Sequence, residues 1–203
     1  MRKRFHFTLA VLATCIAFGN LATAAAADKL ENIPLVWKPT SPMSGRSPVD
    51  LKGLEGIKLQ IEPFTDKRED PGFIGRNMNK VPPRKVTTKE HVDRFVTYQV
   101  KLLMSELGLD VVESGGEVIL KAEIRKFFAE ETNRYNAEVE LQTTLIDANG
   151  KILWGVATTG TSSRYGISYK ADNYYEVLSD ALIGAVHELA HNPGFRKALL
   201  TGK

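Results

Sequence analysis

Apolar and polar residues alternate along several stretches of the chain, and elsewhere they recur at helical spacing. Ile57, Leu59 and Ile61 alternate with Lys58, Gln60 and Glu62, the period of a strand with one buried face, and Pro63 stops the run. Val92, Phe95, Val96, Val100, Leu103 and Leu107 recur three and four apart, which predicts a helix over 88–107. Thr87 and Glu90 have capping-box spacing ahead of it, and Gly108 stands where a left-handed residue closes a helix. A short strand over 109–112 and a Gly115-Gly116 turn follow. Val118, Leu120, Ala122 and Ile124 alternate in the next strand, and Ala137, Val139, Leu141, Thr143 and Leu145 in another. Asn149-Gly150, just before a strand over 152–159, is a hairpin signal. A last helix is predicted over 174–191, capped by Asn173 and Glu176 and ended by Pro193-Gly194.

The order β-α-β-β-β-β-α predicts an α+β domain over 55–203, one mostly antiparallel sheet covered by two helices. Residues 65–86 show neither period. Asp66-Lys67-Arg68-Glu69-Asp70, then Gly72, Gly75 and Pro82-Pro83, read as a long polar loop, and such loops in compact domains are functional or mobile. Residues 28–54 hold Pro34, Pro39, Pro42 and Pro48 with several serines and glycines, and read as an extended arm that Trp37 can pin to the domain.

Residues 1–27 have a different character. Arg2, Lys3 and Arg4 precede an apolar stretch over 5–19, and the small residues that follow end in Ala-x-Ala patterns at Ala24 and Ala27. These are the parts of a secretory signal peptide, and the apolar stretch is short of the ~20 residues of a membrane-spanning helix. Export to the periplasm is the expectation. A second expectation competes with it: Leu12-Ala13-Thr14-Cys15 resembles a lipobox, and lipidated Cys15 would make an outer-membrane lipoprotein with peripheral membrane association. Thr14 and the apolar Ile16-Ala17-Phe18 depart from that pattern. Cleavage at Ala24 or Ala27 removes the chain's one cysteine and with it any disulfide or thiol chemistry.

The 203 residues are 43% hydrophobic and 25% charged with net charge +3, which suits a globular chain rather than a polytopic membrane protein or a disordered one. All of the net charge lies in the leader, so residues 28–203 are formally neutral. The isoelectric point near 8.9 therefore gives no support for nucleic-acid binding.

One motif points to chemistry. His187-Glu188-Leu189-Ala190-His191 matches H-E-x-x-H, in which two histidines one turn apart hold zinc and the glutamate activates a water, and Gly194 even falls at metzincin spacing. The surroundings oppose that reading. Lys197 stands where the third metzincin histidine belongs, no Asp, Glu or His follows His191, and Pro193 interrupts the helix. At ~100° per residue, Leu178, Leu182, Ala185 and Leu189 form one stripe, and His187 and His191 fall roughly opposite, beside Glu176 and Asp180, on what reads as a solvated face. No catalytic residue, metal site or cofactor is expected. A zinc-dependent hydrolase using His187, Glu188 and His191 is the alternative.

The first strand running into Asp66-Lys67-Arg68 and Ile74-Gly75-Arg76 resembles the YajG-like family of bacterial cell-envelope proteins. So do the helix end Leu107-Gly108-Leu109 with Val111 and Val112, and the alternating strand from Val118 to Ile124 ahead of two more strands and a terminal helix. The likeness covers roughly residues 55–190 as a pattern, with Asp66, Arg68 and Gly75 as its motif positions. It implies an exported, non-enzymatic envelope protein, often a lipoprotein, with a sheet backed by two helices. The expected function is an accessory module that binds an envelope protein or a cell-wall or membrane component, with Asp66, Arg68 and Gly75 as candidates for the interaction surface and no role for nucleic acid.

Overall fold

The computed structural model describes residues 30–202. The two cleavage positions and Cys15 lie outside the described residues. In chain order the elements are β1 (Lys58–Ile61), β2 (Thr65–Asp66), β3 (Phe73–Asn77), β4 (Arg84–Thr87), α1 (Val92–Glu106), β5 (Asp110–Val112), β6 (Val118–Glu131), β7 (Arg134–Asp147), β8 (Ile152–Tyr165), α2 (Ala171–His191) and α3 (Pro193–Thr201).

The fold is α+β, and its long ladders are antiparallel. β6, β7 and β8 form a meander of 14-residue strands, with the Asn149-Gly150 turn closing its second hairpin. The other edge of β6 is filled by three short strands laid end to end, all parallel to it. β1 pairs at Leu59↔Val118, β2 at Thr65↔Glu123 and β3 at Gly75↔Ala129. Beyond them β5 pairs with β1 in parallel and β4 with β3 antiparallel, so the sheet is mixed and open.

Three expectations are corrected. Residues 65–86 are not one loop: they supply β2, β3 and β4, which are short and polar on their outer side; β2 and β3 pair with β6 more than fifty residues away, and β4 pairs with β3. Pro193 does end α2, but it also opens a third helix, where Asn192 accepts the Gly194 N–H as the cap. The predicted cap pairs have other partners: the Glu90 carboxylate accepts the Leu35 N–H, and Glu176 pairs with Lys38.

α1 and α2 cover one face of the sheet. Leu178, Leu182, Ala185 and Leu189 are buried, as their spacing predicts. The opposite side of α2 is only partly solvated: His191 and Glu188 are exposed and His187 half-buried, whereas Glu176 and Asp180 are buried because the arm lies along them. Lys38 N–H donates to Ser179 Oγ, and the N–H groups of Thr40 and Ser41 both donate to Asp180 Oδ1 (2.8 and 3.0 Å). Thr40 Oγ1 donates to Asp180 Oδ2 (2.5 Å), and the Arg46 guanidinium reaches the Asp180 carbonyl. Met43 and Leu54 are buried, and the Trp37 ring packs 6.5 Å from Phe95. Asp180 is consequently only 6% exposed, and α2 is the central element of the molecule.

Candidate functional site

The H-E-x-x-H residues are placed by α2 and by a glycine crossing. Gly160 on β8 meets α2 at Gly184 so closely that a Cβ on Gly160 would stand 1.9 Å from the Ala181 carbonyl oxygen. That contact brings the helix turn after Gly184 against the free edge of β8, where Glu188 accepts the Thr159 N–H at 2.7 Å. The carboxylate caps a backbone donor of an edge strand. His187 Nε2–H donates to the Ser47 carbonyl at 2.9 Å, which fixes the proton on that nitrogen. The two imidazoles stack 4.2 Å apart beneath the arm, and Ser47 Oγ is 3.4 and 3.5 Å from their Nε2 atoms. Among the described residues, no three His, Cys, Asp or Glu side chains converge as a metal site would require.

Asp66, Arg68 and Gly75 are brought together around the β3 end of the loop, and all three face inward. The Arg68 side chain is 7% exposed and grips Asp66 through two parallel bonds, Nε to Oδ1 (2.9 Å) and Nη2 to Oδ2 (2.6 Å). Its other donors reach the carbonyls of Pro71, Phe73 and Phe127, so one guanidinium ties the 66–73 segment to β6. Gly75 is buried where β3 passes α2: a Cβ there would lie 2.6 Å from the Ala129 carbonyl oxygen and 3.0 Å from the Tyr174 ring. These residues shape the sheet from within.

The face of the sheet turned away from the helices carries a further feature, set by a bulge that local alternation does not reveal. The β6–β7 register shifts between Ile124 and Lys126, so one extra residue reverses the phase of β6. Ala122 and Ile124 point into the core before the bulge, and Phe127, Ala129 and Glu131 after it. Phe128 is thereby turned outward, into a groove of about 690 Å³ lined by Arg76, Lys126, Glu130, Asn136, Glu138 and Ser163 among others. Arg76 lies over the Phe128 ring at 5.7 Å, Phe73 meets it edge-on at 5.1 Å, and Lys85 lies over Phe73 at 5.4 Å. Lys126 pairs with Glu138, and Arg76 with Glu130, both at 2.6 Å. Two phenylalanines are thus held half-exposed among ion pairs on a rigid sheet. The signal that could have found them is the break in alternation at Arg125, where the even-numbered apolar positions give way to odd-numbered ones.

A buried carboxylate, also unforeseen, fixes one end of this face. Glu131 is fully buried at the end of β6 and accepts the Tyr174 O–H (3.0 Å) and the Tyr169 N–H (2.9 Å). Burial, and then the Glu131 charge, push the Tyr174 phenol far above the ordinary tyrosine range.

No protein-family model matches the chain, and no curated protein does. Similar solved structures include a Xanthomonas campestris protein of the DUF330 family, with TM-score 0.46 and 11% identity, covering 66% of this chain and 79% of that one. A Caulobacter crescentus protein described as a lipoprotein gives TM-score 0.41 and 12% identity, over 63% of this chain and 88% of its own. A Neisseria meningitidis lipoprotein gives TM-score 0.34 and 12% identity, over 55% and 87%. No helix among the described residues is long and apolar enough to cross a membrane.

Proposed function

We propose that this protein is a non-catalytic, exported accessory module of the bacterial cell envelope, of the YajG-like kind, that binds an envelope protein or cell-wall component across the open face of its sheet. The observation that carries this reading is the Phe128 groove: aromatic rings held half-exposed by a bulge, edged by ordered ion pairs, on a scaffold whose other face is wholly covered. Binding surfaces combine anchored aromatic residues and arginine in this way. Asp66 and Arg68 act in it as positioning residues, since the staple they form ties Phe73 to β6, and Gly75 lets β3 lie close against Ala129 and Tyr174. The leader anatomy supports export to the periplasm, with outer-membrane anchoring through Cys15 as the variant of the same reading. A zinc hydrolase is not favoured, because Glu188 and His187 hold backbone groups.

A photo-crosslinking residue placed at Phe128 in intact cells tests this. Discrete adducts from that position, lost with Lys126→Glu together with Arg76→Glu and absent when the probe sits at Tyr98 on α1, are the expected result. Adducts of equal yield from both faces would refute it.

A further inference from the structure

One end of the sheet gathers three segments of chain: the β3–β4 hairpin, the β6–β7 turn and the loop from β8 into α2. Strand register places them side by side, since Asn77 pairs with both Glu131 and Arg84, and Arg134 pairs with Tyr165. Hydrogen bonds lock them together: Asn79 Nδ2 donates to the Thr132 carbonyl (2.6 Å) and Tyr169 Oη to the Lys85 carbonyl (3.0 Å). Beneath them sits the Glu131 anchor already described.

This end exposes apolar side chains that are not covered by other described residues. Val81 is 100% exposed, Tyr165 74%, Ile167 66% and Met78 39%. Residues 78–85, 132–134 and 164–170 also contain Lys80, Arg84, Lys85, Arg134, Arg164 and Lys170, without a single Asp or Glu. Among the described residues only Arg164 of these six has a carboxylate partner, Glu176. Protruding aliphatic tips ringed by unpaired cations match the boundary of an anionic bilayer, where apolar groups enter at headgroup level and cations meet phosphates. A protein interface core would instead be depleted of lysine.

The attachment of the N-terminal segment agrees. Leu30 N–H donates to Tyr169 Oη, the Leu30 carbonyl accepts the Thr87 N–H, and Ile33 N–H donates to the Thr87 carbonyl. Residues 30–33 thus run in the same direction as β4, so the first described residues are tied to this end of the sheet.

We propose that this end docks on an anionic lipid surface, with Val81 and Ile167 entering the headgroup boundary and Lys80, Arg134 and Lys170 facing the phosphates. The inference rests on the envelope reading only in that it puts the protein near a membrane; it does not depend on the Phe128 groove. Cosedimentation of the full chain with vesicles of equal parts phosphatidylcholine and phosphatidylglycerol, against phosphatidylcholine alone, tests it. Each cation at such a surface multiplies partition about fivefold, so Lys80→Glu, Arg134→Glu and Lys170→Glu together should lower it about a hundredfold or more. Val81→Asp with Ile167→Asp should lower it at least about tenfold. Ile152→Asp, equally exposed at the other end of β8, should leave it unchanged. Vesicles should also slow amide exchange over 78–84 and 166–169. Equal partition to neutral and anionic vesicles, or variants that partition like the parent, would overturn the proposal while leaving the Phe128 crosslinks intact.

Discussion

Asp180→Ala removes the carboxylate that seats the arm on α2. In the folded protein Asp180 accepts two backbone N–H groups and one hydroxyl from Thr40 and Ser41, and it is only 6% exposed. Hydrogen bonds to a charged acceptor contribute about 1.5–3 kcal/mol each, and a buried donor left unpaired costs about 1–3. The three bonds share one side chain and one dipeptide, so they do not add in full. Undocking of the arm also caps the loss, since Thr40 and Ser41 can then return to water. The expected cost is about 3–4 kcal/mol, a large share of the ~5–15 kcal/mol typical of a domain. Asp180→Asn, which keeps one carbonyl-type oxygen for the two N–H groups, should cost about half as much. Urea unfolding gives the energies, and native-state amide exchange at Lys38, Thr40 and Ser41 reports the seating. If the arm separates before the rest, the denaturant slope of Asp180→Ala should fall, because less surface remains to expose. A change below about 1 kcal/mol, with exchange at Thr40 and Ser41 unaltered, would refute the reasoning and shift the seating to the arm's other contacts, among them Trp37, Met43, Leu54 and the Lys38 bond to Ser179.

Arg68→Ala and Asp66→Ala should each cost about 3–5 kcal/mol, because either leaves its buried partner uncompensated, and the double mutant should cost little more than one of them in urea titrations. Arg68→Lys should recover little of this, since an ammonium cannot make the paired bonds to Asp66 and reach three carbonyls as well. Gly160→Ala should lower stability by about 3 kcal/mol or more by melting analysis and speed exchange of the Thr159 amide, because its Cβ forces α2 off β8 and Glu188 away with it. For Tyr174, whose pKa is raised in the folded state, stability is at its full value below the unfolded tyrosine pKa of about 10 and falls as pH rises above it, by at most ~1.4 kcal/mol per unit. Tyr174→Phe should remove that part of the alkaline slope.

The meander and the helix stripes were legible because their signals are local and repeated. Ala137 to Leu145 alternates without interruption, and Leu178, Leu182, Ala185 and Leu189 leave no doubt about which side of α2 meets the sheet. β3 and β4 were not legible. Phe73-Ile74-Gly75-Arg76-Asn77 and Arg84-Lys85-Val86-Thr87 are too short for a period to emerge, and β3 pairs with a segment far along the chain. The bulge at Arg125 hid the second half of β6 for a related reason: the alternation survives but changes phase. Glu176 and Asp180 misled because the polar side of an amphipathic helix normally faces water, and here it faces the arm, whose own sequence has no period at all. Of the candidate site, Asp66, Arg68 and Gly75 stood out from their resemblance to a family pattern. The Phe128 groove needed the bulge to be seen.

The seating of the arm also orders events in time. Lys38, Thr40, Arg46 and Ser47 find their partners between Ser179 and His191, about 140 residues later in the chain. A polypeptide made from its N-terminus therefore presents the arm first and can seat residues 38–47 only when α2 has been delivered, although Leu30, Ile33 and Leu35 find partners at Thr87 and Glu90 much earlier. Residues 38–47 thus register completion: their seating on α2 requires that the chain has been synthesised through His191.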